Sequence, residues 1–474
     1  MINGEVSFWW NQLGRPTQRP PLPGALRADV CIVGAGYTGL WTAYYLKKAA
    51  PGLRIVILEQ RFAGYGASGR NGGWLTNSIT GGREQYVATH GRDSAARFQT
   101  AMNDTVDEVI RVAAAEGIDA DIVKGGEFTV ACEVPQQRRL EASARAEQEW
   151  AETDVELLTA AEASARVNVV GATGAMWHPH CARIHPAKLA AGLAGVVEAL
   201  GVEIYEDTTV TEITPHRAVT ARGVVAADVV VRATEGFTAG LRGLHRAWLP
   251  MNSSLIATSP LAPAVWESIG WDACETLGDM AHAYMYAQRT ADDRIAIGGR
   301  GVPYRFGSRT DSDGRTPAGT VDALRGILNR FFPATTGVTI DHAWSGVLGV
   351  PRDWAATVGL DPATGLAWAG GYVGTGVATT NLAGRTLTEL ILARAAGNAP
   401  GGAAGGAAGA AAALSELPWV NHRVRNWEPE PLRWLAVTGL YRAYGIADRA
   451  EHGGRRTTTS PLATIADRVS GRGH

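Results

Sequence analysis

The sequence predicts an α/β protein in which a nucleotide-binding domain, built from separate stretches of chain, is joined to an α+β domain and followed by a helical C-terminal tail. Three observations carry this expectation. The apolar run Val30-Cys31-Ile32-Val33 passes through a glycine turn into a helix-like stretch and then into Arg54-Ile55-Val56-Ile57-Leu58-Glu59, which is a strand, helix, strand unit. The same apolar strand text returns at Asp228-Val229-Val230-Val231 and again from Gly365 to Gly371. Between these pieces lie charged, helix-like stretches. At 474 residues the chain also exceeds what one compact core ordinarily holds.

Each element follows from its local text. Residues 1–28 are rich in Trp, Pro and Arg without a steady period, which predicts an arm draped over the first domain and anchored by Trp9 and Trp10. In the first unit, Leu40, Ala43 and Tyr44 fall on one helical face suited to packing on a sheet. From about 90 to 170 the chain reads helical, including Gln136 to Glu149, around the strand-like Gly126-Glu127-Phe128-Thr129-Val130. A helix over 187–200 leads to the strand Val202-Glu203-Ile204-Tyr205, and a glycine-rich turn after Gly371 precedes a helix from about Asn381 to Ala395. Residues 397–413 are almost only Gly and Ala, too uniform to define a packed face, and read as a linker. Beyond it, Leu432, Leu435, Leu440 and Tyr444 recur near helical spacing, with packing on the chain's own body favoured over a membrane or partner face. The resulting division is an arm (1–28), a nucleotide-binding domain (29–80, 180–245 and 340–395), a substrate domain (81–179 and 246–339), a linker (396–415) and a helical extension (416–474).

Composition removes several function classes. Lys and Arg number 44 against 46 Asp and Glu, a formal net charge of −2, which supplies no concentrated basic surface for nucleic acid. The four cysteines, Cys31, Cys132, Cys181 and Cys274, are widely spaced without a CxxC pair and suit reduced thiols rather than a disulfide framework. The opening MINGEVSFWWNQLGRP has neither a basic leader nor an apolar segment ending in a cleavage site, and no later run reaches the roughly 18 apolar residues a membrane span requires. The expectation is a soluble, cytoplasmic protein with no membrane span. Oligomeric state has no signature in the sequence.

The sharpest motif is Gly34-Ala35-Gly36-Tyr37-Thr38-Gly39. Gly34 permits the tight turn, Gly36 lets backbone approach a pyrophosphate, and Gly39 brings helix close to strand. The helix N-terminus then offers free amide hydrogens and a favourable dipole to the phosphates, so no lysine is needed. Alone, such a motif is weak. Here it follows an apolar strand, opens a helix, and is answered 20 residues after Gly39 by Glu59 at the end of the next strand. Glu59 is suited to accept from ribose hydroxyls and to repel a 2′-phosphate, which disfavours NADP and leaves FAD and NAD open.

The segment Phe62-Ala63-Gly64-Tyr65-Gly66-Ala67-Ser68-Gly69-Arg70-Asn71-Gly72-Gly73-Trp74 is loaded with small residues that let a flat ring lie against backbone. It resembles the flavin-approaching loop of the D-amino-acid-oxidase superfamily of FAD oxidoreductases, and in the form GASGRNGG it is especially similar to the gamma-glutamylputrescine-oxidase-like branch. The resemblance continues through Arg183-Ile184-His185-Pro186-Ala187-Lys188-Leu189, Arg294 to Arg300, Trp344-Ser345-Gly346 and Gly371-Tyr372-Val373-Gly374-Thr375-Gly376-Val377, and covers about residues 28–395. It implies a Rossmann-type FAD domain in several pieces, a substrate domain on a large mixed or antiparallel sheet, and the flavin ring between them. Residue by residue it implies Gly34, Gly36, Tyr37, Thr38 and Gly39 at the pyrophosphate, and Glu59 with Gln60 at the ribose. It further implies Ala67, Ser68, Arg70, Asn71, Gly72 and Gly73 beside the flavin, Val210 at adenine, and Gly371, Gly374, Thr375, Gly376 and Val377 at the pyrimidine end. The flavin loop holds neither His nor Cys, so FAD is expected to be non-covalent.

The same resemblance implies oxidation of a small aliphatic primary or secondary amine by hydride transfer to flavin N5. The imine then hydrolyses to an aldehyde or ketone, and dioxygen is the expected final acceptor. Because the redox step belongs to the cofactor, the protein must chiefly orient the C–H bond and supply a neutral amine. Arg300 and Arg352 are the candidate cations near substrate, Tyr286 and Tyr284 with Trp344 candidate walls of an amine pocket, and His282 a candidate proton acceptor. His178, His180, Cys181 and His185 lie close in sequence, but Pro179 and Pro186 break the segment and no second ligand cluster follows, so no metal is expected. Two rival readings remain at this point: an amino-acid oxidase acting at the alpha carbon, marked by a carboxylate clamp, and a non-catalytic flavoprotein.

Overall fold

Four strands, Glu203–Tyr205, Ile55–Leu58, Leu26–Val33 and Gly223–Arg232, lie side by side and parallel. Their Val/Ile-rich text follows from burial on both faces. Val30, Ile32, Ile55, Ile57, Val229 and Val231 point into one core, whereas Cys31, Val33, Val56, Leu58 and Val230 point into another. This is the two-residue alternation of a strand applied to a sheet covered on both sides. The helices Tyr37–Ala49, Pro186–Ala199 and Gly376–Ala395 pack together on the first face. Gly223–Arg232 is long enough to serve two neighbours along one edge. Its first half pairs antiparallel with Arg217–Thr220, and its last residues pair parallel with Leu366–Gly370, which returns antiparallel to Thr357–Asp361. The structure, a computed structural model, describes residues 1–299, 301–310, 313–397, 413–454 and 456–470.

The second sheet is mixed and has nine strands in the order Ile2–Asn3, Ile340–Val350, Leu249–Thr258, Ile295–Gly299, Tyr286–Arg289, Thr276–Asp279, Glu127–Ala131, Gly174–His178 and Glu156–Thr159. Its own core gathers Phe128, Ile256, Leu277, Ile297 and Leu328, with the helices Pro263–Ile269 and Ala318–Phe331 contributing. Ile340–Val350 belongs here, paired antiparallel with Leu249–Thr258 along its whole length, and not in the nucleotide sheet with which the sequence reading grouped residues 340–395. An apolar strand carries no mark of which sheet will accept its hydrogen bonds, so this assignment needed the ladder itself. The helix Arg92–Ala115, grouped by sequence with the substrate domain, packs on Gly376–Ala395 above the nucleotide sheet. The helix expected from Asn381 begins at Gly376.

The N-terminal arm ties the two sheets. Ile2–Asn3 adds an edge strand beside Ile340–Val350, and the short helix Phe8–Leu13, capped by Ser7, buries Trp9 and Trp10. The Trp10 indole fills space that only glycine leaves open at 64 and 69, and donates to the Gly64 carbonyl at 3.3 Å; Trp9 donates to the Asn71 carbonyl at 2.9 Å. At the other end, the helix Leu432–Glu451 keeps only half of the expected face: Tyr444 is buried and Leu440 packs beside it, but Leu432 and Leu435 are exposed, and Arg433, Val437 and Ala447 are buried instead. Arg433 tolerates burial because Glu430 lies 3.1 Å away and the His245 carbonyl accepts at 3.3 Å. Most of the Gly/Ala linker, residues 398–412, lies outside the described residues. Among the described residues, no helix is long and apolar enough to cross a membrane.

Trp10→Ala is expected to destabilise the protein by about 3–5 kcal/mol, the cost of emptying a fully packed indole site. Denaturant titration of the purified protein measures it, and a loss below 1 kcal/mol would mean that the arm is not an anchor.

Candidate active site

The glycine turn shows a separate steric demand at each position. Gly34 has φ +109°, and a Cβ there would lie 2.5 Å from the Ala233 carbonyl oxygen. A Cβ on Gly39 would fall 2.0 Å from the Gly34 carbonyl oxygen, so helix and strand touch through backbone. Gly36 is the N-cap of Tyr37–Ala49, has no side chain to cap it, and would drive a Cβ to 2.9 Å from Ser68 Oγ. Ser68 Oγ itself accepts from the Tyr37 amide at 2.8 Å. At the end of the next strand Glu59 is buried, accepting from the Ala35 and Arg61 amides, both at 2.9 Å. Burial pushes its carboxyl up to about 7, against the opposing pull of those amides.

The loop after Glu59 folds on itself. Asn71 donates to the Ala67 and Ser68 carbonyls and accepts from the Gly73 amide at 2.8 Å. A Cβ on Gly72 would strike the Tyr286 ring at 2.7 Å, and one on Gly73 would lie 1.9 Å from Gln288 Nε2. Arg70 is buried and structural: its guanidinium donates to the Tyr65 and Ser345 carbonyls at 2.8 and 3.2 Å and lies over the Tyr65 ring.

One continuous cavity of about 440 Å³ joins these pieces. Of the sequence-predicted cofactor residues it is lined by Gly34, Gly36, Tyr37, Thr38, Glu59, Gln60, Ala67, Ser68, Arg70, Asn71, Gly72, Val210, Gly374, Thr375, Gly376 and Val377. Gly39, Gly73 and Gly371 stand behind it, where a Cβ would meet Gly34, Gln288 and Pro351 respectively. From the nine-stranded sheet come Ser253, Leu255, Tyr286, Val347 and, at a strand start, Glu127, with Tyr284 from a loop and Trp74 from the short strand Trp74–Thr76. Tyr286 and Ser253 share a hydrogen bond of 2.8 Å, and the Trp74 and Tyr286 rings meet edge to face at 6.3 Å.

The other candidates separate. Trp344 is fully buried behind the flavin loop, donates to the Arg70 carbonyl at 2.9 Å and packs on Phe8 and Trp9, so it is core and not cavity wall. Arg352 pairs with Glu428 at 3.0 Å over the Trp427 ring, fastening the C-terminal extension instead of facing a substrate. Arg300 lies outside the described residues. His282 is held by Glu451 at 3.0 Å and stacks on Tyr444, away from the cavity. In the histidine cluster His178 and His180 stack at 6.4 Å, but each side chain has its own partner. His180 pairs with Asp154, His178 lies 3.6 Å from Glu127, and Cys181 is buried against Thr276. Burial pushes His185 down to about 4, and this neutral ring caps Pro186–Ala199 by accepting from the Lys188 amide.

Sequence reading missed Glu235 and Glu127. Glu235 follows the strand Gly223–Arg232 as Glu59 follows Ile55–Leu58, and an acid just past an apolar parallel strand was the available signal. Its carboxylate accepts from the Gly349 amide at 2.6 Å and the Tyr372 amide at 3.0 Å, while burial pushes it up to about 7. Glu127 had no such signal. A third missed group is Asp279, which accepts from the Met285 amide at 3.0 Å while Asp448, from the C-terminal helix, accepts from the His282 and Ala283 amides at 2.8 and 3.1 Å. The segment that brings Tyr284 to the cavity is thus gripped from both sides.

A glycine-lined turn at an uncapped helix N-terminus, a buried acid at the end of the next strand and one cavity running on into a mixed sheet are the arrangement of a dinucleotide-dependent oxidoreductase. The residues fit FAD: glycine leaves the backbone bare where the dinucleotide must approach, and a second uncapped helix start, Gly376–Ala395, faces the same space. The chain matches the family model described as FAD dependent oxidoreductase (DAO) over residues 29–390 and belongs to that family. It is 32% identical over 374 residues to the gamma-glutamylputrescine oxidoreductase of Escherichia coli, covering 77% of this chain and 84% of that protein. It is 28% identical over 399 residues to the probable oxidoreductase OrdL of Haemophilus influenzae, covering 81% and 88%. Among solved structures, glycine oxidase from Geobacillus kaustophilus shares the fold with a TM-score of 0.64 at 23% identity, over 77% of this chain and 95% of that one. The protein is an FAD-dependent oxidoreductase.

Two outcomes test this site. Gly36→Val puts side-chain atoms where Ser68 and the approaching dinucleotide must sit, so the purified variant is expected to lose most of its bound FAD, read as the 450 nm absorbance per chain after desalting; full retention would show that the close approach is elsewhere. Asp279 has its carboxyl pushed up to about 7 by burial, so ionising it penalises the folded state increasingly as pH rises from its ordinary range toward 7. Asp279→Asn removes that penalty, and the fall in Tm between pH 5 and pH 8 is expected to be smaller than in the wild type. An unchanged fall would mean that Asp279 does not titrate in this interval.

Proposed function

We propose that the protein oxidises a small aliphatic primary or secondary amine at its C–N bond, with dioxygen as the final electron acceptor. The observation that carries this reading is the character of the cavity. Its one described cation, Arg70, is committed to two backbone carbonyls, while Trp74, Tyr284 and Tyr286 supply aromatic surface. Such walls suit an alkylamine, whereas an alpha-amino acid calls for a guanidinium presented to its carboxylate. The 32% identical Escherichia coli relative, named for oxidation of gamma-glutamylputrescine, supports the same direction.

FAD, when bound, supplies the acceptor for the hydride removed from the carbon beside nitrogen. The chain's own work is placement. Gly34, Gly36, Tyr37 and Thr38 offer backbone to the pyrophosphate, Glu59 and Gln60 take the ribose end, and Val210 closes the adenine end. Ala67, Ser68, Asn71 and Gly72 line the flavin side, with Arg70 bracing their loop through Tyr65 and Ser345. Gly374, Thr375, Gly376 and Val377 turn amides of a helix start toward negative charge at the pyrimidine end. Tyr286, fixed by Ser253 and by its contact with Gly72, and Trp74 orient the amine's carbon chain. The product imine leaves for water, which hydrolyses it to a carbonyl compound and ammonia or an amine. No described cavity-lining residue is His or Cys, which supports non-covalent attachment of FAD.

Anaerobic mixing with alkylamines, diamines and N-methylated amines is expected to bleach the flavin absorbance, with peroxide formed once oxygen is admitted. Glycine and proline at equal concentration are expected to bleach it far more slowly. Bleaching by amino acids alone would replace this reading with an amino-acid oxidase; bleaching by none of these compounds would remove it.

A further inference from the structure

We infer that Glu127 forms a second substrate subsite, which takes a protonated nitrogen at the far end of the amine, so that the preferred substrates carry two amino groups. This rests on the amine-oxidation reading above and narrows it. Three carboxylates line the cavity among its described residues, and two of them are occupied. Glu59 accepts from Ala35 and Arg61, and Glu235 accepts from Gly349 and Tyr372, each through both oxygens. Glu127 differs. Thr76 Oγ1 donates to its Oε2 at 2.7 Å, and His178 Nε2 lies 3.6 Å from that same oxygen. Its Oε1 accepts from no described donor, and the side chain is 19% exposed in a wall shared with Trp74, Thr76 and Ser78.

A carboxylate that is half used and faces a cavity shielded from bulk water gains most from a cation brought by the ligand, because the charge-assisted bond replaces water on an oxygen already partly desolvated. Burial raises the cost of ionising Glu127, but His178 and Thr76 outweigh it and hold the group below its ordinary range, so it is charged when substrate arrives. The strand pairing of Glu127 with His178 and the hydrogen bond from Thr76 also fix its orientation. The chemistry then sorts the two ends of one molecule. The nitrogen to be oxidised must be neutral to release hydride from its neighbouring carbon, whereas the nitrogen at Glu127 must keep its proton. A diamine carrying a single proton satisfies both demands in one orientation. Trp74, which lines the same cavity and meets Tyr286 edge to face, adds aromatic surface for the methylene chain.

The test compares 1-aminobutane with 1,4-diaminobutane on the holoenzyme and on Glu127→Gln, an isosteric change, with Glu127→Asp as a second variant that keeps the charge. The wild type is expected to favour the diamine in kcat/KM. In Glu127→Gln, KM for the diamine should rise at least about 10-fold, the loss of one charge-assisted bond, with the monoamine changing less than about 2-fold. Glu127→Asp should fall between. Displacement of the flavin absorption band by the diamine in the absence of turnover, at a pH where both nitrogens are protonated, gives a binding constant that should weaken in parallel. Equal effects on both amines, or on neither, would overturn the subsite while leaving amine oxidation intact. A wild-type flavin bleached by neither amine would overturn the underlying reading instead, and flavin content and visible spectrum identical to wild type certify that the variants are folded and loaded.

Discussion

A buried carboxylate links the two sheets. Glu235 sits just past the end of a parallel nucleotide-sheet strand and accepts one amide from Gly349, on the strand Ile340–Val350 of the mixed sheet, and one from Tyr372, at the head of the glycine loop. A buried acid is costly unless its oxygens are satisfied, and here the satisfaction comes from backbone that must be fixed for the cavity to exist. The residue adopts φ +42°, a strained conformation that the surrounding ladder holds in place. The cavity's width, and the register between its nucleotide and substrate ends, follow from that junction.

Around it, pieces remote in sequence complete the walls. The N-terminal arm seats the Trp10 indole on Gly64 and Gly69 and bonds Trp9 to the Asn71 carbonyl, and Trp344 supports the same loop from behind through the Arg70 carbonyl. The helix Leu432–Glu451, beyond the family-matched residues, grips the 280–284 segment through Asp448 and Glu451 and buries Tyr444 against His282. Arg433, Asp448 and Glu451 of the extension therefore act as fasteners, whereas Arg442 and Arg449 lie with Leu432 and Leu435 among its exposed residues.

The nucleotide half was legible because its constraints are local. A glycine three residues on from another, an apolar strand before them and an acid after the next strand all reflect contacts between near neighbours in the chain, and the cavity lining includes most of the residues so identified. The substrate half was not. Trp344 and Arg352 resembled pocket residues because an aromatic or a cation beside glycine looks the same whether it faces a ligand or a neighbouring loop. Glu127 was invisible for the converse reason: an acid at a strand start is ordinarily solvated, and only its ladder with Gly174–His178 and the adjoining Trp74–Thr76 strand place it in the cavity.

By itself the sequence determined the strand, the glycine turn and the helix that follows it, the acid after the next strand, and the small-residue loop beyond, since backbone sterics and short-range hydrogen bonds specify these within a few turns of chain. The tertiary structure alone decided which sheet receives Ile340–Val350, which cations are spent on structure, and which cavity carboxylate has an oxygen that accepts from none of the described residues. Those outcomes depend on long-range pairing, where the same side chain is buried, paired or exposed according to partners hundreds of residues away.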